Sequence, residues 1–239
     1  WLNALGYKVA ENTTGITIAT LPTEEQKQLG AVMHSKPVLL TQEGKIVVPT
    51  TGADKGKVTT TGRKDYLLFG STQGMLHVVN VDDGKEVFAF VPHEMMENQA
   101  KGFLSEGSTT GGKDNLYYGI DGAWTAFTQY VSKTDKTLTV KDSGRKDSDD
   151  KDLNQKGRQW VYGGLRMGGR SYYGLDLGNI TSPSLKFHID PTAAAPDSPL
   201  SYMGQSWSKP TLTYVNWGGT RRLVMLVGGG YDSTGGTDG

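Results

Sequence analysis

Tyr66-Leu67-Leu68-Phe69-Gly70-Ser71-Thr72-Gln73-Gly74-Met75-Leu76-His77-Val78-Val79-Asn80-Val81-Asp82-Asp83-Gly84 is the stretch whose reading decides the fold. Tyr66 to Phe69 is an apolar run of strand length, and Gly70 to Gly74 supplies a turn. Met75 to Val81 restores an alternating pattern until Asp82-Asp83-Gly84 punctuates it. Two such runs joined by a glycine-bearing turn predict an antiparallel hairpin rather than a crossover. Shifted by 94 positions the pattern recurs without a gap, placing Gly70 on Gly164, Gly74 on Gly168 and Asp82 on Asp176. A third start stands at Leu223 to Gly230. One hairpin cannot bury its own apolar face, so repeated hairpins predict a radial or solenoidal β architecture. The expected fold is all-β, a modified β-propeller of antiparallel four-stranded blades with short helices in the loops between them.

Working outward, Glu86 to Pro92 reads as the next strand of the first blade, and His93 to Ala100 as a short helix after it. Leu116 to Phe127 opens a new blade, and Gln129 to Val131 is set to pair with Leu138 to Val140 across a turn. Lys141 to Gly157 is an almost wholly polar and charged insertion, expected as a solvated loop. Leu185 to Ile189 reads as a strand, and Thr211 to Val215 leads through a turn at Gly218-Gly219 into the third copy. Upstream, Ala31 to Leu40 and Gly44 to Pro49 form an expected β pair turning at Gln42-Glu43-Gly44. Residues 50 to 64 read as a solvated loop. Residues 1 to 30 read as a separate lead-in, with a helix over residues 22–30 capped by Thr23 with Gln26 and closed by Gly30. Within it Gly15 to Thr20 is a strand or a loop. A propeller takes typically 4 to 8 blades and the visible repeats supply about three or four. Residues 1–239 are therefore read as one domain that is an incomplete segment of such a propeller, with blades over residues 31–239.

Composition narrows the function classes. The 33 glycines in 239 residues are about twice the usual ~7 % share, as a turn-rich β chain requires. Lysine plus arginine equals aspartate plus glutamate at 25 each, so no net field draws the chain to nucleic acid or to an anionic membrane. No apolar run approaches the ~20 residues of a membrane helix. There is no cysteine, hence no thiol nucleophile and no disulfide framework.

The best metal-ligand pattern is Asp150, Asp152 and Asn154, which place oxygens at positions 1, 3 and 5 as a calcium loop does. Gln155 then stands where the tight-turn glycine belongs and Val161 where the closing glutamate belongs, which favours a solvated loop over a calcium site. Asp232 and Asp238 offer a still thinner oxygen set. His34, His77, His93 and His188 show no zinc spacing, and His77 on its alternating strand reads as a satisfied blade histidine without catalytic partners. The pairs Gly163-Gly164 and Gly168-Gly169 lack a following helix and a Gly-Lys-Ser/Thr, so they read as turns that permit positive φ. Trp124, Trp160, Tyr172, Tyr173, Trp207 and Trp217 read as packing between blades rather than as a stack for a quinone or a sugar.

Seven blocks in order resemble the C-terminal domain of the PilY/PilC proteins, tip-associated adhesins and assembly factors of bacterial type IV pili. They are Gly30 to Val38, Phe69 to His77, Phe88 to Pro92, Ile120 to Gly122, Val161 to Arg170, Gly204 to Pro210 and Gly228 to Asp232. The resemblance implies a modified seven-bladed propeller, secreted and associated with the outer membrane, exposed at the pilus tip. It further implies a noncatalytic protein that supports pilus extension against retraction, adhesion, twitching motility and DNA uptake. Its implied partners are minor pilins of the tip complex and host or abiotic surfaces. In the family an acidic calcium loop lies downstream of the block matching Gly228 to Asp232, so no cofactor is expected in this segment. The alternative is a quinoprotein-type propeller dehydrogenase, which shares the glycine turns; its calcium constellation and tryptophan floor are not recognisable here.

Overall fold

A computed structural model of the chain describes residues 1–104, 116–141 and 157–231. Twelve strands are assigned to three antiparallel sheets among the described residues. The first sheet contains β1 (Val38–Val47), β2 (Thr59–Gly70), β3 (Leu76–Asn80) and β4 (Glu86–Phe90), with β6 (Val131–Ser132) and β7 (Leu138–Thr139) added on the far side of β1. The second contains β5 (Trp124–Gln129), β8 (Arg158–Gly164), β9 (Tyr172–Asp176) and β10 (Ser184–Ile189) in the order β10-β9-β8-β5. The third is the hairpin of β11 (Thr211–Trp217) and β12 (Thr220–Leu226). One short helix, α1 (His93–Asn98), follows β4 and is succeeded by a 3-10 turn over Ala100–Phe103.

Only the second sheet has the expected four strands; the first has six and the third two, and the described sheets do not close into a ring. Both central hairpins form where alternation and glycine turns predicted them. Tyr66 pairs with Asn80 and Gly70 with Leu76 in the first, and Trp160 pairs with Asp176 and Gly164 with Tyr172 in the second. Their turns therefore span residues 71–75 and 165–171, so the second is two residues longer and the repeat is not gapless as expected. Gly70 and Gly164 are equivalent; Gly74 and Gly168 are not.

Three local expectations are corrected. The helix over residues 22–30 does not form: Gln26 N–H donates to Gly6 C=O at 2.7 Å, and an isolated antiparallel bridge joins Tyr7 to Glu25. The cap pattern had no apolar stripe behind it to bury, and short helices need one. The turn at Gln42-Glu43-Gly44 is a pair of register shifts inside one ten-residue strand, β1. It stays extended because Gln42 is buried and its Nε2 donates to Gln159 Oε1 at 2.5 Å and to Leu177 C=O at 2.8 Å. Finally, Thr59 to Lys64, expected in a loop, extends β2 as the exposed partner of that strand.

The core lies between the first two sheets. Leu40, Leu68, Leu76 and Val78 of the first pack with Trp124, Val161 and Leu175 of the second, and Met95 of α1, Ile120 and Leu165 join the same cluster. At one end of this core the repeats meet backbone to backbone. A Cβ added at Gly70 would fall 2.1 Å from the Ile120 carbonyl oxygen, one at Gly122 2.1 Å from that of Gly164, and one at Gly168 1.7 Å from that of Gly119. At Gly164 it would meet Ser206 Cβ at 2.7 Å. Hydrogen bonds run across the same seam, from Ile120 N–H to Ser71 C=O at 3.0 Å and from Ser206 N–H to Gly169 C=O at 3.0 Å. Positive φ, expected at these glycines, occurs at Gly74 (96°) but not at Gly70, Gly164 or Gly168, whose glycine is required by close approach instead.

Candidate functional site

Loops from successive repeats converge at this seam and bring four side chains together. His34 precedes β1, Asp121 precedes β5, Arg166 lies in the turn between β8 and β9, and Trp207 precedes β11. The Asp121 side chain is fully buried. Its Oδ1 accepts from the His34 backbone N–H at 3.3 Å and lies 2.8 Å from His34 Nδ1, while its Oδ2 accepts from Arg166 Nη1 at 2.7 Å. Arg166 Nη1 also lies 2.9 Å from His34 Nδ1, so carboxylate, imidazole and guanidinium form one mutually contacting cluster. The Arg166 guanidinium carbon also sits 4.2 Å from the centre of the Trp207 ring, and Trp207 packs on Tyr231 with ring centres 5.2 Å apart. Arg166 holds φ at 52°, a costly conformation for a non-glycine residue that clusters at functional sites.

This arrangement is a charged brace with an aromatic rim. A buried carboxylate already engaged by a guanidinium and an imidazole is compensated, and its removal would leave Arg166 without its charge partner. The rim is open, with Trp207 41 % and Tyr231 54 % exposed and Met33 exposed beside His34. Tryptophan, tyrosine, arginine and methionine are the residue types that carry protein contacts. The geometry suits a contact surface held rigid from below.

Two further polar clusters lie inside the sheets. His77, read from sequence as a satisfied blade histidine without catalytic partners, is engaged at both ring nitrogens: Ser71 Oγ lies 3.0 Å from Nε2 and Glu86 Oε2 2.5 Å from Nδ1. It also stacks on Phe69 at 5.3 Å. The order serine, histidine, glutamate has the form of a hydrolytic triad, but Ser71 is 1 % exposed and also bonds Met75 C=O, so no substrate reaches it in this conformation. In the second cluster Glu94 of α1 accepts from Ser171 Oγ at 2.6 Å and from Tyr173 OH at 3.3 Å, with His188 Nε2 3.1 Å from Ser171 Oγ. Burial raises the Glu94 pKa, and one of its oxygens, Oε1, has no hydrogen-bond partner. Burial, with the Glu94 charge beside it, also raises the Tyr173 phenol.

The calcium candidates Asp150, Asp152 and Asn154, and also Asp232 and Asp238, lie outside the described residues. Among the described residues no group of three or more His, Cys, Asp or Glu side chains is placed to hold a metal ion. No helix among them is long and apolar enough to cross a membrane. Of the aromatic set, Trp124, Tyr172 and Tyr173 are buried as expected, whereas Trp207 and Trp217 are exposed.

No family model matches the chain. It is 26 % identical over 216 residues, 88 % of its length, to the type IV pilus biogenesis factor PilY1 of Pseudomonas aeruginosa strain UCBPP-PA14. The chain is PilY1-like. It spans 16 % of that relative's length. The crystal structure of the C-terminal domain of Pseudomonas aeruginosa PilY1 matches with a TM-score of 0.42 at 21 % identity, over 72 % of this chain and 26 % of that one. His34, Asp121, Arg166, Trp207 and Tyr231 all fall inside the sequence blocks that carry the PilY/PilC resemblance. Nothing in composition or periodicity marked them as a cluster, because they come from five separate stretches.

Proposed function

We propose that residues 1–239 are part of a propeller-type domain in a noncatalytic biogenesis factor at the tip of a type IV pilus. The observation that carries this reading is the 26 % identity over 216 residues to PilY1. In this reading the glycine seam makes neighbouring sheets a stiff unit and the brace of His34, Asp121 and Arg166 presents the Trp207 rim to partners. Those partners are minor pilins of the tip complex and host or abiotic surfaces. The protein is secreted to the cell surface and outer-membrane associated, where it supports extension against retraction, adhesion, twitching and DNA uptake. No cofactor is assigned to this segment, and Asp150, Asp152 and Asn154 are not assigned a calcium ion.

The test compares variants of the full-length protein at equal expression, with surface pili counted in retraction-competent and retraction-deficient cells. Gly164→Val should lower folded protein at the surface and piliation together. His77→Ala should lower piliation only as far as it lowers the folded amount, since no proton transfer is being removed. Loss of pili in His77→Ala at an undiminished surface level would sink the noncatalytic reading. Normal piliation without folded Gly164→Val protein would sink the assembly role.

A further inference from the structure

On the face of the second sheet that carries Trp160 lies a groove of about 420 Å³, lined by Lys141, Gly157, Arg158, Trp160, Asp176, Gly178 and Asn179. Trp160 organises it. The ring stacks on its cross-strand partner Phe127 at 5.4 Å, and Lys186 Nζ and the Arg158 guanidinium carbon stand 3.8 and 4.9 Å from its centre. The indole N–H donates to Asp176 Oδ2 at 2.8 Å, and Gly178 N–H donates to Asp176 Oδ1 at 2.9 Å. Among the described residues the groove's lining carries two cations, Lys141 and Arg158, and one carboxylate, Asp176, whose two oxygens are each fixed by one donor; Lys186 stands beside them over the Trp160 ring. Asn179 Oδ1 accepts from Thr181 Oγ1 at 3.0 Å, leaving the amide NH2 as its donating end.

We infer that this groove binds an acidic saccharide, with the cations taking the sugar carboxylate and Asp176 and Asn179 taking its hydroxyls. Lys141 and Arg158 against the Asp176 carboxylate in the described lining, with Lys186 over the adjoining indole, favour an anion. A multiply charged phosphate would meet the Asp176 carboxylate, whereas a hydroxyl-rich ligand with one charge per ring uses that carboxylate's remaining lone pairs as acceptors. Lys186 and Arg158 are pre-positioned over the indole, which lowers the ordering cost of engaging the ligand. The volume accommodates one or two pyranose rings at the scale of ordinary small-molecule sites. This site is separate from the Trp207 rim and does not depend on the pilus assignment.

The test titrates the full chain with a hyaluronan tetrasaccharide, reading tryptophan fluorescence and calorimetry. Chitotetraose serves as the neutral control and inorganic phosphate as the non-sugar anion. Saturable binding of the uronate sugar is expected, with weak response to either control. Lys186→Gln and Arg158→Gln, both on side chains outside the core, should each weaken it by about tenfold, as loss of a charge-assisted hydrogen bond does. A second protein, in which residues 142–156 are replaced by a glycine-serine linker, separates occupation by the chain's own aspartates from absence of a site. Binding in either protein that is lost in Lys186→Gln supports the inference. No binding in both, equal binding of chitotetraose, tighter binding of phosphate, or indifference to both substitutions overturns it.

Discussion

The two central hairpins started from one pattern and diverged at one end. Where Gly70 and Gly164 close the first strand of each, both abut a neighbouring segment too closely for a side chain. In the turns that follow they differ. The first is five residues with Gly74 at φ 96°, while the second is seven residues with Arg166 at φ 52° and its guanidinium on Asp121. A strand end packed against a neighbouring backbone has no room for a side chain, whereas a turn can lengthen and acquire a charged residue that reaches the next repeat. Repetition is thus kept at the seam, and novelty enters in the loops.

The largest way to break this comparison is a side chain at the seam. Gly70→Ala and Gly164→Ala should each cost more than about 3 kcal/mol, since backbone would have to move, and denaturant melts should show loss of the cooperative transition. The contrasting glycine is Gly218, with φ 57° and open space around its Cβ position. Gly218→Ala should cost only about 1 kcal/mol, the conformational penalty alone. Equal losses at Gly70 and Gly218 would show that the seam is not tight.

Asp121→Ala strips the brace of its acceptor and should cost about 3 kcal/mol, the usual loss when one partner of a buried charge pair is removed. Asp121→Asn keeps one acceptor oxygen and should lose less. A melt of Asp121→Ala matching the parent would mean that the loops are held by the glycine contacts alone.

These contrasts also explain what was legible in the sequence. The strands around Tyr66 and Trp160 were readable because alternation and turn glycines are local signals. The failed helix over residues 22–30 shows that capping residues do not act without a stripe to bury. The requirement for glycine at Gly70 and Gly164 was readable but its cause was not, since a turn needing positive φ and a neighbour too close for a Cβ leave the same letter. Partners across strands were hidden for the same reason. His77 meets Glu86 only through the β3–β4 register, and His34 meets Asp121 from 87 residues away.

A smaller effect separates the two sheets by pH. Lys133 and Lys64, donating to Glu43, hold its carboxyl at about 2, below its ordinary value of 4.5. The folded value lies below the unfolded one, so the stabilisation is complete above pH 4.5 and is lost as pH falls towards 2. It amounts to about 1–3 kcal/mol after allowing for the exposed lysines. Glu43→Gln should therefore flatten the acid limb of the stability curve. Glu94 acts in the opposite sense and should have the smallest effect. Its raised pKa means that stability present at low pH is lost as pH rises through the folded value, and Glu94→Gln should remove that loss from the pH dependence of the melts. A Glu94→Gln curve as steep as the parent's would place the titration elsewhere.

The strand β7, added to the first sheet after β5 has begun the second, bears on how the chain folds. Gly44 pairs with Leu138 across 94 residues of sequence, whereas the hairpins close over a few. Loop-closure entropy delays such distant pairings until nearer ones hold the chain ends together. The hairpins are therefore the early structures, and the β1–β7 junction is among the last to form. β1 to β4, synthesised before Leu138, must wait for it with one flank of β1 bare, a period in which that strand is a target for a chaperone or for the wrong neighbour.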